Sequence, residues 1–108
     1  MSKKHLVRDA FRKAVFDRDR HQCVMCGTKT TKLDAHHIVD RHEMPNGGYV
    51  LENGISLCDQ PDGCHEKAEA FHKGVPVPQG YRPEDLYMRI GSSYDVAFAA
   101  SYALGAQK

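Results

Sequence analysis

The sequence predicts a small α+β domain, a strand, loop, strand, helix unit stapled by a metal and flanked by helices at both ends. Three observations predict it. Four cysteines fall into two pairs, Cys23 with Cys26 and Cys58 with Cys64. Between the pairs lie two short segments, "TKLDAHHIV" and "NGISLC", whose alternating apolar and β-branched residues suit strands. On either side of this core, apolar residues recur three and four positions apart, the period of an amphipathic helix.

The first element is a basic helix over 4–20. Leu6, Ala10 and Ala14, and with them Val7, Phe11 and Val15, fall at helical spacing, while Lys and Arg fill the remainder. The first twenty residues hold seven Lys or Arg (Lys3, Lys4, Arg8, Arg12, Lys13, Arg18, Arg20) against three Asp, a local +4 in a chain of formal net charge +1. A basic end suits a polyanion, and it is also how a solvated helix face looks. "CVMCG" then bends Cys23 and Cys26 around a tight turn closed by Gly27. The first strand carries His36 and His37, which alternation sends to opposite faces unless the strand bends or ends there. In the loop "DRHEMPNGG", Pro45, Asn46, Gly47 and Gly48 are turn residues. A second strand over 53–58 and the turn "DQPDG" lead into the helix "CHEKAEAFHK", stopped by Gly74 and Pro76. After the linker-like "GVPVPQGYRP", "PEDLYMRIG" opens with proline and acids, as helices do. The last helix, "SSYDVAFAASYALG", has Ser92 or Ser93 as its cap and Gly105 as its stop. The expected domain is therefore one unit over 1–108: basic helix 4–20, finger 23–73 and C-terminal helices 83–105. The apolar "YDVAFAASYAL" is expected to cover the finger, with a dimer face as the alternative.

Composition narrows the class. With 108 residues, no Trp and 8% aromatics, the core is limited and a second source of stability helps. No stretch approaches the roughly 18–20 apolar residues of a membrane span, and "MSKKHLVRDAFRK" lacks the apolar segment of a signal peptide. The expectation is a soluble, cytoplasmic protein with no membrane partner, whose reduced thiols point to a metal before disulfides. Four thiolates close a tetrahedral zinc site, which in small domains contributes ~10–16 kcal/mol of binding energy that is also folding energy. Five residues separate Cys58 from Cys64, more than the usual spacing; Pro61 and Gly63 allow a compact turn, and a different ligand in place of Cys64 stays open. With four protein ligands such a zinc is structural, since no position is left for chemistry.

Left over are His36 and His37 on the first strand, Asn53 at the start of the second, and His65 at the start of the helix. Together with "CVMCG", "DAHHI", the glycines at 47 and 48, "ENGISLC" and "CHEKAE", in that order over about 23–69, this resembles the HNH endonuclease family. The resemblance is to its four-cysteine zinc subgroup, and implies a zinc-stapled ββα-metal (His-Me) finger. It also implies a metal-dependent endonuclease that hydrolyses DNA to 5′-phosphate and 3′-hydroxyl ends. By resemblance His37 is the general base, His36 and His65 hold a catalytic divalent ion (Mg²⁺, Mn²⁺ or another transition metal), and Asn53 pins the loop. Small size suits a stand-alone phage-type nuclease working in a host cytoplasm.

Each role has its own physical reason. A neutral imidazole, with a pKa near about 6.5, accepts a proton from water at neutral pH. A divalent ion neutralises charge on the phosphate and on the departing oxygen. An asparagine amide both donates and accepts, which suits tying down a loop. On the helix, Glu69 is one turn past His65, about 6 Å along the axis, and stands where some family members carry histidine. It either binds the ion or is a surface acid. His72, about 10.5 Å along, is expected to lie too far from His65 to share that ion. His72, Lys73, Arg41, His42, Arg8 and Arg12 are the candidate phosphate contacts. The competing function is a non-catalytic zinc-finger module that binds nucleic acid or protein; it would need the cysteines but not His36, His37, Asn53 and His65 together. Monomer and homodimer both remain open.

Overall fold

The computed structural model describes residues 3–29 and 32–105, with side chains from Leu6 onward. Thr31, which opens the first predicted strand, and the side chains of Lys3 and Lys4 lie outside the described residues. The elements run α1 (Lys3–Arg18), β1 (Leu33–His37), β2 (Gly54–Cys58), α2 (Cys64–Lys73), α3 (Pro83–Arg89) and α4 (Tyr94–Gly105). Short 3-10 turns at Arg41–Glu43, Pro45–Gly48 and Leu51–Asn53 join the two strands.

β1 and β2 form an antiparallel pair in which Leu33 faces Cys58 and His37 faces Gly54. Both strands are shorter than the sequence pattern predicts, for one reason. Ile38 still donates to the Asn53 carbonyl at 2.9 Å. Beyond it, the N–H and C=O of Val39 both bond the Asn53 side chain, each at 3.1 Å, so the ladder has no further backbone partner. Asn53 itself closes a 3-10 turn, its N–H on the Val50 carbonyl, which moves the start of β2 to Gly54.

The two faces of the sheet bury different clusters. On one, Phe11 and Val15 of α1 pack with Ala35. On the other, Ile38, Ile55, Leu57, Ala68, Leu86, Tyr87 and Ala97 join Cys23, Cys58 and Cys64 in the main core. α1 sits against β2 because Gly54 has no side chain: a Cβ there would lie 2.5 Å from Val15 and 2.7 Å from Phe11. Arg18, one of the residues making up the basic end, is spent on this packing. Its guanidinium donates to the carbonyls of Leu51 (2.7 Å) and Gly54 (2.6 Å) and pairs with Asp19, whose carboxylate accepts from the Ser56 N–H at 2.9 Å. Of the two apolar rows read on α1, only the Phe11 and Val15 row is buried; Leu6, Val7, Ala10 and Ala14 face solvent.

α2 ends where Gly74 turns left-handed, φ +72°, with its N–H on the carbonyls of Ala70 and Phe71. Arg82 and Asp85 make the N-terminal box of α3 and Ser93 caps α4 by accepting from the Val96 N–H at 3.2 Å. α4 corrects an expectation. It docks through its small residues, Ala97 and Ser101, and through Asn46, whose amide donates to the Ser101 carbonyl at 3.0 Å. Its large residues Tyr94, Val96, Phe98 and Tyr102 are exposed rather than laid over the finger. Among the described residues no helix is long and apolar enough to cross a membrane.

Candidate functional site

The four cysteines meet. Their sulfurs lie within 4.8 Å of one another, and all four are free thiols. The first pair is shaped by a knuckle in which Gly27 donates to the Cys23 carbonyl (2.8 Å) and Cys26 donates to the Cys23 sulfur (3.5 Å). The longer second spacing closes at the start of α2, where the Cys64 N–H donates to the Cys58 sulfur at 3.2 Å. Gly63 makes that turn possible, since a Cβ there would lie 2.9 Å from the Cys58 carbonyl. Burial opposes ionisation of Cys23, but backbone N–H groups aimed at its sulfur outweigh it and bring the thiol down to about 7. Burial pushes the Cys64 thiol the other way, up to about 12, so the metal itself would draw off protons there; four sulfur donors this close together can bind zinc.

The second cluster lies between β1 and α2. His36 is 2% exposed, and neither of its ring nitrogens has a hydrogen-bond partner. Its Nδ1 stands 3.4 Å from Glu69 Oε1, and the same oxygen stands 3.3 Å from His65 Nε2. Two donors held about 2.1 Å from one ion stand roughly 3.0–3.5 Å apart. Each separation suits two donors of one ion. In this cluster, among the described residues, the sets whose donor atoms all lie within 4.8 Å of one another are Asp34 with His36 and His65, and His36 with Glu69 and His72. A buried, unpartnered imidazole is otherwise costly. His36 loses proton affinity chiefly through burial, while the imidazole of His36 beside it holds Glu69 down to about 2. Burial thus favours a neutral His36, which stands beside an ionised Glu69, the protonation states that metal ligands need. His65 also meets Asp34 (3.2 Å) and Asp59 (3.4 Å), two acids that the sequence reading passed over because strand and turn carboxylates have no spacing signature.

His72 stands on the other flank of His36. Its separation from His65 holds along α2, but the His36 ring of β1 reaches between them, 5.3 Å from the ring of His65 and 5.2 Å from that of His72. His72 thus shares a cluster with His36 and Glu69 rather than standing outside it.

His37 turns the other way, as strand alternation requires. It stacks on Phe11 at 4.6 Å and 26° and meets the edge of Tyr49 at 4.8 Å, so an aromatic box fixes the ring. Burial lowers its pKa to about 4, which leaves it neutral at physiological pH, with Nε2 free of any hydrogen-bond partner. Asn53 is fully buried, and its amide meets four groups. Oδ1 accepts from the Val39 N–H (3.1 Å) and the Tyr87 hydroxyl (2.7 Å); Nδ2 donates to the carbonyls of Val39 (3.1 Å) and Gly48 (3.3 Å). Gly48, at φ +65°, leaves room for that amide: a Cβ would lie 2.7 Å from Asn53 Nδ2.

A cleft of about 340 Å³ joins these parts. Its lining includes His36, His37, His65, Glu69 and His72, with Arg8 and Arg12 of α1 and Arg41 at the rim. Lys73 lines an adjoining depression with Asp59 and Glu66 that shares His65 and Glu69 with the cleft, and His42 stands exposed on its 3-10 turn outside the cleft lining. Phe11, Tyr49 and Tyr87 went unread as site residues because their contacts cross the fold; helical spacing marked only the buried face of Phe11.

Residues 23–71, just under half of the chain, match the family model described as HNH endonuclease. Comparison with curated proteins and with solved structures finds no match. The matched stretch runs from the first cysteine to the last turn of α2, so the α+β fold is a ββα-metal finger in its four-cysteine form, and the match supports a nuclease-type function.

Proposed function

We propose that this chain, which carries an HNH endonuclease finger over 23–71, works as one nuclease domain that hydrolyses DNA phosphodiester bonds with the help of a divalent ion. The observation that carries this reading is the divergence of the adjacent histidines. His36 stands with Nδ1 3.4 Å from Glu69 on the α2 side, and the ring of His37 stacks on Phe11 and lines the cleft on the α1 side. A binding module has no use for either arrangement.

In this reading His36, His65 and Glu69 hold the ion. Such an ion would offset the charge that builds on the phosphate and on the departing 3′ oxygen. His37, neutral and fixed between Phe11 and Tyr49, takes the proton of the attacking water. Arg8, Arg12 and Arg41 meet backbone phosphates along the rim, positioning the strand without reading its sequence. Asn53 and Tyr87 act on the loop after β1 and so on the direction of His37. The four cysteines hold a structural zinc, and the working compartment is the cytoplasm, where their thiols stay reduced.

The test is supercoiled plasmid incubated with the zinc-loaded protein and Mg²⁺, Mn²⁺ or Ni²⁺, with EDTA as the control. Nicked or linear product that EDTA abolishes is expected. DNA binding with intact plasmid under every ion would overturn the nuclease reading in favour of a binding module.

A further inference from the structure

The ring of His36 has a histidine on either side, and the two sides differ. Toward the start of α2, His65 is already engaged by carboxylates: Nε2 lies 3.2 Å from Asp34 and 3.3 Å from Glu69, and Nδ1 lies 3.4 Å from Asp59. Toward its end, His72 has no carboxylate at ion-pair distance among the described residues. Its Nε2–H donates to the backbone carbonyl of His37 at 3.1 Å. That bond fixes the tautomer and leaves the lone pair on Nδ1. Imidazoles that bind metals are commonly oriented in this way, one nitrogen on the ion and the other N–H on a carbonyl. His36, Glu69 and His72 each offer a ligand atom within 4.8 Å of the others, and the two nitrogens of His36 are buried without a partner.

We propose that His72 is a further ligand of the divalent ion, its imidazole joining those of His36 and His65 and the Glu69 carboxylate in a set suited to a first-row transition ion. The family match ends at Phe71, so the residue lies one position beyond the stretch it covers. Helical geometry explains the placement. Glu69 and His72 are three residues apart on one face of α2, and β1 lays His36 against that face. The proposal deepens the nuclease reading by naming a further ligand at the same centre. It also ties that centre to the other side of the strand, since the group orienting His72 is the carbonyl of His37.

The test measures ion binding directly. Zinc-loaded protein is titrated with Mn²⁺, and free Mn²⁺ is followed by its electron paramagnetic resonance signal, for the wild type, His72→Ala and His72→Gln. Zinc content and melting temperature confirm that each variant is folded. His72→Ala is expected to weaken Mn²⁺ binding at least about tenfold. His72→Gln keeps an N–H donor for the His37 carbonyl but offers no imidazole, and is expected to stay weak. Unchanged affinity in folded His72→Ala would overturn the assignment. Full recovery in His72→Gln would overturn it as well, leaving a residue that only positions the strand. Failure of the nuclease reading is distinguishable, because it appears as intact plasmid with the wild-type protein whatever the Mn²⁺ isotherms show.

Discussion

Asn53→Ala is the substitution whose cost can be worked from the structure most directly. Removing the amide leaves four groups without their partner: the N–H and C=O of Val39, the Gly48 carbonyl and the Tyr87 hydroxyl. The bonds to Gly48 and Tyr87 are buried, and a buried polar group left unmade costs roughly 1–3 kcal/mol. The two to Val39 are partly buried and recover some hydration, so roughly 0.5–1 kcal/mol each is appropriate. The total is about 3–8 kcal/mol, a large share of the roughly 5–15 kcal/mol that holds a domain of this size. Thermal unfolding at fixed excess zinc should fall by roughly 12–32 °C. Tyr87→Phe deletes one of the four bonds and should cost about 1 kcal/mol. Because the two residues share a bond, the double mutant should be less destabilised than the sum of the singles, by about 1 kcal/mol. A loss under about 1 kcal/mol in Asn53→Ala would mean that water replaces the amide, and would refute the view that this network holds the loop.

His37→Ala should lower plasmid cleavage by ~10²–10⁴ while zinc content stays at the wild-type level, because the residue accepts a proton and touches no cysteine; near-normal cleavage would remove it from the mechanism. Cys23→Ser removes a buried sulfur from both the metal cluster and the main core, so loss of bound zinc and of cooperative unfolding is expected, and a folded, zinc-free variant would contradict the site. Glu69→Gln should raise the Mn²⁺ or Mg²⁺ concentration needed for half-maximal cleavage, because hard ions favour a carboxylate over an amide; an unchanged titration would make Glu69 a surface acid. Arg8→Ala and Arg12→Ala should each flatten the salt dependence of DNA binding by a slope of about 0.9 if each meets one phosphate, read by fluorescence anisotropy in EDTA. These single changes are preferred to deleting the helix, because a deletion through residue 13 would also take away Phe11, on which His37 stacks.

What was legible in the sequence was what is local. The cysteine pairs, the adjacent histidines and the asparagine just before the second strand are each recognisable within a few residues; the four sulfurs meet and the asparagine bonds the chain just after β1. What was not legible depends on elements far apart in the chain. Phe11 reads as one apolar residue of a helix face until α1 is laid against β1. Tyr87 reads as a core residue of α3 until its hydroxyl is found on Asn53, across 34 positions. His72 was excluded by a sound measurement along one helix. The measurement considered α2 alone, and the residue that brings His72 into the cluster belongs to β1.

The loop anchor and the divergence of the histidines are one constraint rather than two. Strand alternation separates His36 from His37 only while β1 remains extended through residue 37, and the ladder stops immediately after, because Asn53 takes both backbone groups of Val39. If the pairing ran further, Asn53 would belong to β2 and its amide would no longer reach Val39 and Gly48. If it ended earlier, the carbonyl of His37 would be free to leave His72, and the ring of His37 would be free to leave Phe11. The position at which two short strands part therefore sets the direction of the base, the burial of the ligand beside it and the orientation of the imidazole at the end of α2. A substitution that shifts this point should thus impair ion binding and proton transfer together, even where it touches neither group.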